Sequence, residues 1–324
     1  MNIKVSIIIP VYNVAPYLDA CLSSCINQTF RDIEIIVVND GSTDASYQVI
    51  TKYTAMDKRI VVVNKENEGL IYARKSGLDI ARGEYVFHLD GDDYIENNTI
   101  DILYQEAIKN NSDCVMAGFY WVFGENKREH HWDQHMNGLS KQDLLSFLID
   151  KGLWPIWGKL MRKSLFDDII YRKVFIGEDL YLNMQISLKI ENLLVSDFCL
   201  YNYVRQENAI TMKKDDDKVF GLCLEMLEAA WSLLDIYPFE ERIRKQICYL
   251  FIPLLIGAIK ENRIKVKSIL IKYYWNKKET RDYLWRDKKL FYFLCGGYIY
   301  APHITSLGTK IGVKAKALLR KVKH

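Results

Sequence analysis

Hydrophobic positions in the first 120 or so residues alternate between two rhythms. Short β-branched runs at Val5–Pro10, Ile33–Asn39, Ile60–Asn64, Glu84–Leu89 and Asp113–Phe119 read as strands. Between them, Ala15–Gln28, Asp44–Tyr53, Leu70–Ala81 and Asn98–Lys109 repeat their apolar residues at helical spacing, as Leu18, Leu22, Cys25 and Ile26 do in the first. Near-continuous Val/Ile strands separated by helices predict an α/β fold with a mostly parallel sheet covered on both faces. Ligands of such sheets sit at the carboxyl ends of the strands, so chemistry is expected just after each one. Beyond residue 119 the pattern is mixed. Tyr120–Trp132 alternates aromatic and polar residues, as a hairpin or a loop would, and Leu139–Leu148 and Asp179–Lys189 look helical. From Asp215 the chain is mostly helix, over Val219–Leu234, Glu240–Ile259 and Ile264–Trp275, with the boundary expected in the charged stretch Lys213–Lys218. This divides the chain into an α/β domain, 1–213, and a helical region, 214–324.

Charge sharpens that division. Residues 214–324 carry 22 Lys and Arg against 12 Asp and Glu, whereas residues 1–213 carry 22 against 29. An acidic body with a basic appendage points to different partners for the two parts, and the acidic part disfavours binding to nucleic acid. At 49% hydrophobic and 26% charged residues, the composition is that of a globular protein and excludes a disordered one. The seven Cys are scattered without a CxxC, which reads as reduced thiols of a cytosolic protein rather than a disulfide framework. The opening MNIKVSIIIPVYN lacks the pattern of a signal peptide. The apolar runs Tyr249–Ile259 and Leu290–Ala301 are shorter than the roughly 20 residues a membrane span needs, so no transmembrane helix is expected. After Asp287 there are eight Lys and Arg and no acid. Lys310, Lys314, Lys316, Arg320, Lys321 and Lys323, interleaved with apolar residues, form either solvated helix faces or a basic amphipathic anchor for the inner face of a membrane.

The strongest chemical signal is Leu89-Asp-Gly-Asp-Asp93, where a strand delivers three carboxylates at its end. Asp90 and Asp92 share one face of an extended chain, and Gly91 lets a ligand approach the backbone. Hard cations such as Mg²⁺ or Mn²⁺ take carboxylate and phosphate oxygens, so this is a candidate metal site. Asp40 ends another strand, where its carboxylate could accept an N–H from a nucleobase, while Ser42, Thr43 and Asp44 suit the cap of the next helix. Glu178 and Asp179 precede a helical pattern, as a charged N-terminus or as a general base. Trp154–Trp157 reads as core or cleft wall. His130, His131 and His135 could ligate zinc, but no Cys lies close in sequence and the polar surroundings favour a solvated loop.

In sequence order these motifs resemble glycosyltransferase family 2, the inverting, nucleotide-sugar-dependent transferases of GT-A fold. The resemblance rests on Val5-Ser-Ile-Ile-Ile-Pro-Val-Tyr-Asn13, Val38-Asn-Asp-Gly-Ser-Thr-Asp44, Asn67-Glu-Gly69 with Ala73-Arg74, Gly83-Glu-Tyr85, Leu89-Asp-Gly-Asp-Asp93, Trp157-Gly-Lys159 and Gly177-Glu-Asp179. It spans residues 3–213. By similarity, the backbone of Pro10, Val11 and Tyr12 holds the nucleoside with Asp40 facing the base, and Arg74 lies beside the nucleotide. Asn67, Gly69 and Gly91 belong to the same donor-binding set. The resemblance makes Asp92 the direct metal ligand, Asp90 a ribose or metal-shell contact, Asp179 the catalytic base with Glu178 in support, and Arg205 the cation over the diphosphate. Trp157 and Lys159 fall on the acceptor side. Lys75 stands where the family commonly has Asn, and Asn97-Asn98 where it often has Pro, which touches fine donor contacts. The QxxRW motif of processive synthases is absent.

The resemblance therefore implies an inverting, metal-dependent, non-processive transferase. It would move one sugar, from a UDP-sugar by family weight, to a hydroxyl of a saccharide or polyprenyl-linked acceptor in surface polysaccharide synthesis. The expected place is the cytoplasm, peripheral to the inner membrane face. The competing readings are a catalytically silent sugar- or membrane-binding scaffold, and a nucleotidyltransferase, which would carry a Gly-rich, Arg-containing loop where this chain has Pro-Val-Tyr-Asn.

Overall fold

The computed structural model describes residues 3–152, 154–205, 217–261, 266–288, 291 and 295. By contacts the chain falls into two compact units, Met1–Ala229 and Ala230–His324. The expected boundary at residues 213–214, and the basic segment from Lys310 onward, lie outside the described residues.

Unit one opens as the apolar rhythm predicts. Strands β1 (Val5–Val11), β2 (Ile33–Asp40) and β4 (Tyr85–His88) are buried along their whole length, and β3 (Ile60–Lys65) completes a parallel set with order β3-β2-β1-β4. Their pairing is in register, Ile8 facing Ile36 on one side and His88 on the other. Helices α1 (Ala15–Ile26), α2 (Ser46–Met56) and α3 (Leu70–Ile80) supply the crossovers. The chain runs from β1 outward to β3 and then returns to the other side of β1. That reversal opens a crevice at the carboxyl ends of β1 and β4, where open α/β sheets bind ligands.

Past β4 the sheet becomes mixed. Strand β5 (Tyr94–Ile95), helix α4 (Thr99–Asn110), the long β6 (Cys114–Phe123) and β7 (Asn126–His130) follow, with β6 and β7 forming an antiparallel hairpin, the first of the two alternatives for the Tyr120–Trp132 stretch. Helix α5 (Lys141–Lys151), β8 (Lys159–Arg162), α6 (Glu178–Ile186) and β9 (Leu193–Val204) complete the unit. β8 wedges antiparallel between β4 and β6, β9 runs parallel to β6, and β5 closes the edge. Half of the strand pairings are parallel, so the sheet is less parallel than the Val/Ile pattern suggests.

Helix α7 (Asp217–Ile236) contains the division between units. The apolar run expected as one helix from Glu240 to Ile259 breaks at Phe251 into α8 (Glu241–Leu250) and α9 (Ile252–Glu261). Pro253, early in α9, lacks the N–H that would have continued the hydrogen-bond ladder. A short α10 (Val266–Ile269), a π-helical turn over Leu270–Trp275 and α11 (Lys278–Asp287) follow. Ile243, Ile247 and Cys248 form the buried stripe of α8, and the Tyr274 hydroxyl donates to the carbonyl of Cys248 at 2.9 Å. No helix among the described residues is long and apolar enough to cross a membrane.

Candidate active site

The rim of the crevice is built first by polar side chains that answer backbone N–H groups. At the end of β1, Asn13 adopts a left-handed backbone (φ 54°), a conformation Asn tolerates. Its Oδ1 accepts from the amides of Thr43 and Asp44 at 2.8 and 3.3 Å. Asp44 in turn accepts from Ala15 N at 3.0 Å, where α1 begins, and from Ser46 N at 2.9 Å. Burial pushes the Asp44 carboxyl up, but the hydrogen bonds from Ser46 and Ala15 win and hold it below its ordinary value. The N-cap of α2 is therefore Ala45 rather than Asp44, which stands one residue before it and answers the first amides of both α1 and α2.

Asp40, at the end of β2, is 3% exposed. Its oxygens accept from Glu68 N at 3.1 Å and Gly69 N at 2.9 Å, with Lys65 Nζ at 3.5 Å. It thus straps the loop of Asn67 to the sheet and fixes Gly69 at the head of α3 (φ 96°). Pro10 and Val11 are buried in β1, Tyr12 is 50% exposed on the rim, and Asn67 is exposed.

The second cluster is different in kind. One turn into α3, Arg74 is 1% exposed and bridges two carboxylates that are 89 residues apart in sequence and about one-fifth exposed. Its Nη2 donates to Asp90 Oδ1 at 2.9 Å and its Nη1 to Asp179 Oδ1 at 2.5 Å. Asp179 Oδ2 also accepts from Ile156 N at 3.2 Å, and Asn183 Nδ2 donates to both Asp179 O and Trp154 O, tying the first turn of α6 to the loop before β8. The bridge brings the end of β4 and the start of α6 into one cleft.

Negative charge exceeds positive in that cleft. Burial raises the Asp90 carboxyl, opposed by Arg74 and reinforced by Asp179. Burial, with the neighbouring Asp90 charge, pushes Asp92 up to about 6. Burial, with Asp179 adding to it, pushes Glu178 up to about 7 against the pull of Arg74. Several carboxyls crowded around one guanidinium are a donor set that fits a hard divalent cation, which would relieve their mutual repulsion with oxygen ligands. Asp90 and Asp92, the first two carboxylates of the acidic turn, belong to that set. A Cβ at Gly91 would stand 3.0 Å from Pro10 O, so a side chain there would press on the backbone of β1.

Other neighbours take parts that local spacing did not show. Asp93 is buried, accepting from the Tyr201 hydroxyl at 2.6 Å and Val204 N at 2.8 Å, while Tyr201 Oη accepts from Asp90 N at 3.3 Å. Asp93 and Tyr201 thus anchor the acidic turn to β9. His88, at the end of β4, is wholly buried with neither ring nitrogen hydrogen-bonded, and burial, then the charge of Arg74, hold its pKa well below the ordinary value.

Trp157 is buried, as the core alternative of the expectation has it, and stacks on Tyr201 (centroids 4.4 Å apart) and Tyr203 (5.2 Å). Lys159, on β8, is 3% exposed. Burial lowers its pKa, opposed by Cys114 and Asp179, which places its charge within the field of the α6 carboxylates. Arg205 is exposed just after β9, its guanidinium 5.1 Å from the ring centre of Trp121.

The profile of the family described as Glycosyl transferase family 2 matches residues 6–170, about half of the chain. Among curated proteins, the chain is 33% identical over 255 residues to glycosyltransferase GlyA of Streptococcus pneumoniae serotype 4, covering 74% of this chain and 36% of that one. It is 34% identical over 215 residues to the uncharacterized glycosyltransferase EpsJ of Bacillus subtilis, covering 64% and 62%. The chain therefore spans less than two thirds of either relative. Among solved structures, S. aureus TarS 1–349 in complex with UDP-GlcNAc superposes with a TM-score of 0.64 at 22% identity, covering 94% of this chain and 89% of that one. The mannosyltransferase PcManGT from Pyrobaculum calidifontis, in complex with GDP-Man and Mn²⁺, gives 0.53 at 12% identity over 94% and 87%. These likenesses establish the fold, an α/β sheet of GT-A type.

Proposed function

The chain belongs to glycosyltransferase family 2, and from that premise we propose that it transfers a single sugar, with inversion, from a nucleotide diphosphate donor to a hydroxyl acceptor. The observation that carries this reading is the Arg74 bridge, because it sets Asp90 and Asp179 on opposite sides of one guanidinium. In this reading Asp90 faces the donor diphosphate at the ends of β1 and β4, and Asp179 faces the entering acceptor hydroxyl.

The residues divide the work by charge. Asp179 is oriented through both oxygens, by Arg74 and by Ile156 N–H, and its remaining lone pairs receive the acceptor proton as attack on the anomeric carbon proceeds. Glu178, raised to about 7, is a neighbouring site at which a proton is readily held near neutral pH. Arg74 keeps the two carboxylates from repelling each other out of position. Asp92, with Asp90 beside it, would hold a Mn²⁺ or Mg²⁺ ion, whose chemistry is to neutralise charge developing on the leaving phosphate. The backbone at Pro10–Tyr12 and the Asp40-strapped loop, with Asn67 and Gly69, form the nucleoside side. Arg205 serves the diphosphate and Trp157 with Lys159 the acceptor side.

UDP is the preferred nucleotide in this reading, which the likeness to TarS with UDP-GlcNAc supports. We place the acceptor among saccharide or polyprenyl-linked intermediates of surface polysaccharide, with the basic residues of 301–324 at the inner membrane face. Deleting 301–324 should then reduce association with anionic liposomes, and unchanged association removes that part.

Asp179→Asn tests the core of the proposal. It should keep donor binding, read as a thermal shift across UDP-, GDP- and dTDP-sugars, and lose about 10²–10⁴-fold in transfer. Near wild-type transfer by this variant would overturn the assignment of the base.

A further inference from the structure

The three histidines at 130–135 do not come together. The His130 ring packs on Phe119 with centroids 4.5 Å apart, and His135 is an exposed partner of Asp133. His131 instead meets a cysteine 68 residues away, and the fold has cleared the space for it. β6 runs between β7 and β9, and Gly118 of β6 lies opposite Cys199 of β9 at two successive irregularities of register. A Cβ on Gly118 would stand 2.8 Å from Cys199 Sγ and 3.0 Å from His130 O, so the glycine lets the thiol cross over the middle strand toward the hairpin. Glu129 and His131, two apart on extended chain, present their side chains to the same face.

We propose that Glu129, His131 and Cys199 form a binding site for a borderline-soft divalent cation, Zn²⁺ by preference, separate from the acidic site at Asp90 and Asp92. The ligand atoms all lie within 4.8 Å of one another. Cys199 Sγ is 3.6 Å from His131 Nε2, and that nitrogen is 3.3 Å from Glu129 Oε2. Tetrahedral zinc, with bonds of about 2.3 Å to sulfur and about 2.0–2.2 Å to nitrogen and oxygen, separates such ligand pairs by roughly 3.6 and 3.4 Å. The donor set of thiolate, imidazole and carboxylate selects zinc over the Mg²⁺ or Mn²⁺ suited to an all-oxygen site.

Binding is balanced by one proton, because the Cys199 thiol must give up its hydrogen to become a ligand, so affinity rises with pH. Burial and the Glu129 charge both keep that thiol protonated in the absence of metal. The three ligands leave the fourth position to water, and the bound ion would pin the β6–β7 hairpin to β9.

Cobalt is the discriminating probe, because thiolate-to-cobalt charge transfer gives an absorption band that an oxygen site lacks. The full chain with one equivalent of Co²⁺ should show this band. It should vanish in Cys199→Ser and persist in Cys223→Ser, which alters the other cysteine not buried among the described residues. By chelator competition, His131→Gln and Glu129→Gln should each bind Zn²⁺ more than about 10-fold more weakly, since even an outer-shell partner is typically worth 10–100-fold. Zn²⁺ should raise the Tm of the wild type and of Asp92→Asn, but not that of Cys199→Ser. A wild-type chain without the cobalt band, a band surviving in Cys199→Ser, or undiminished zinc affinity in both His131→Gln and Glu129→Gln would overturn the proposal. The last of these carries the test should Cys199→Ser fail to fold.

Discussion

Two groups of carboxylates line the same crevice and live under opposite conditions. Asp40 and Asp44, at the end of β2, are met by backbone amides: Glu68 and Gly69 donate to the first, Ala15 and Ser46 to the second. Asp90, Asp92, Glu178 and Asp179, at the end of β4 and the start of α6, are half-buried side by side, and Asp90 and Asp179 share one guanidinium. In the first region every lone pair that matters is spent on shaping a loop, so the charge stabilises the fold. In the second, burial and like charges push Asp92 up to about 6 and Glu178 up to about 7, so these carboxyls hold their protons more tightly than ordinary ones. Groups whose pKa values are displaced by desolvation and a specific charge neighbour cluster at functional sites. The contrast therefore separates scaffold from chemistry within a single rim.

The largest effect should come from removing the cation that holds the second region together. Arg74→Met keeps the bulk of a buried side chain but leaves Asp90 and Asp179 facing each other. Removing one partner of a buried ion pair typically costs about 3–5 kcal/mol. Urea unfolding should report a loss in that range, with transfer abolished. A loss below about 1 kcal/mol would mean the carboxylates are solvated well enough not to need the guanidinium.

Asp40→Asn probes the first region. The amide offers one acceptor oxygen where the carboxylate offered two, and turns its NH₂ toward a backbone N–H. The expected cost is about 1–3 kcal/mol, that of a buried donor left unsatisfied. Because the damage lies in the loop of Asn67, donor affinity should fall while the rate at saturating donor changes less. A fall in that rate with donor affinity intact would move Asp40 into the chemistry and blur the contrast.

Asp92→Asn should do the reverse. Taking a desolvated charge out of the acidic turn should raise the stability of the apo protein by about 0.5–2 kcal/mol, the usual gain where function has been bought with strain. The same variant should lose Mn²⁺-dependent donor binding by calorimetry. Destabilisation would show that the Asp92 charge is well compensated in the fold itself.

The difference between the regions also marks how far the residues can be read without coordinates. The parallel half was legible because β1, β2 and β4 are buried on both faces and must be apolar along their length. The acidic turn was legible because three carboxylates after an apolar strand are locally unusual. β8 and β9 were not, since β8 has only four residues and exposed Asp197 and Phe198 interrupt the alternation of β9. The Arg74–Asp179 bridge spans 105 residues and the Cys199–His131 contact 68, and neither leaves a trace in local spacing. Asp40 shows the limit from the other side. Its position after β2 marked it as a site residue, but nothing in the motif tells that both of its oxygens answer the amides of a loop 28 residues on.

The smallest effect is a slope with pH, and its sign follows from the same contrast. Glu178 has a pKa of about 7 in the folded protein against an ordinary 4.5, so the folded state holds more protons than the unfolded one between those values. Stability must then fall as pH rises through that window and level off above it. Asp92, raised from 3.8 to about 6, adds a slope of the same sign at lower pH. Asp44, held below its ordinary value, acts the other way: its contribution is present above about pH 4 and is lost in more acid solution. The Tm of the metal-free protein should therefore peak near pH 4 and decline toward about pH 7.5. Glu178→Gln, which cannot titrate, should flatten the upper part of that decline and leave the acid limb unchanged. An identical slope in the variant would assign the decline to other groups and return Glu178 to the role of a helix N-terminal charge.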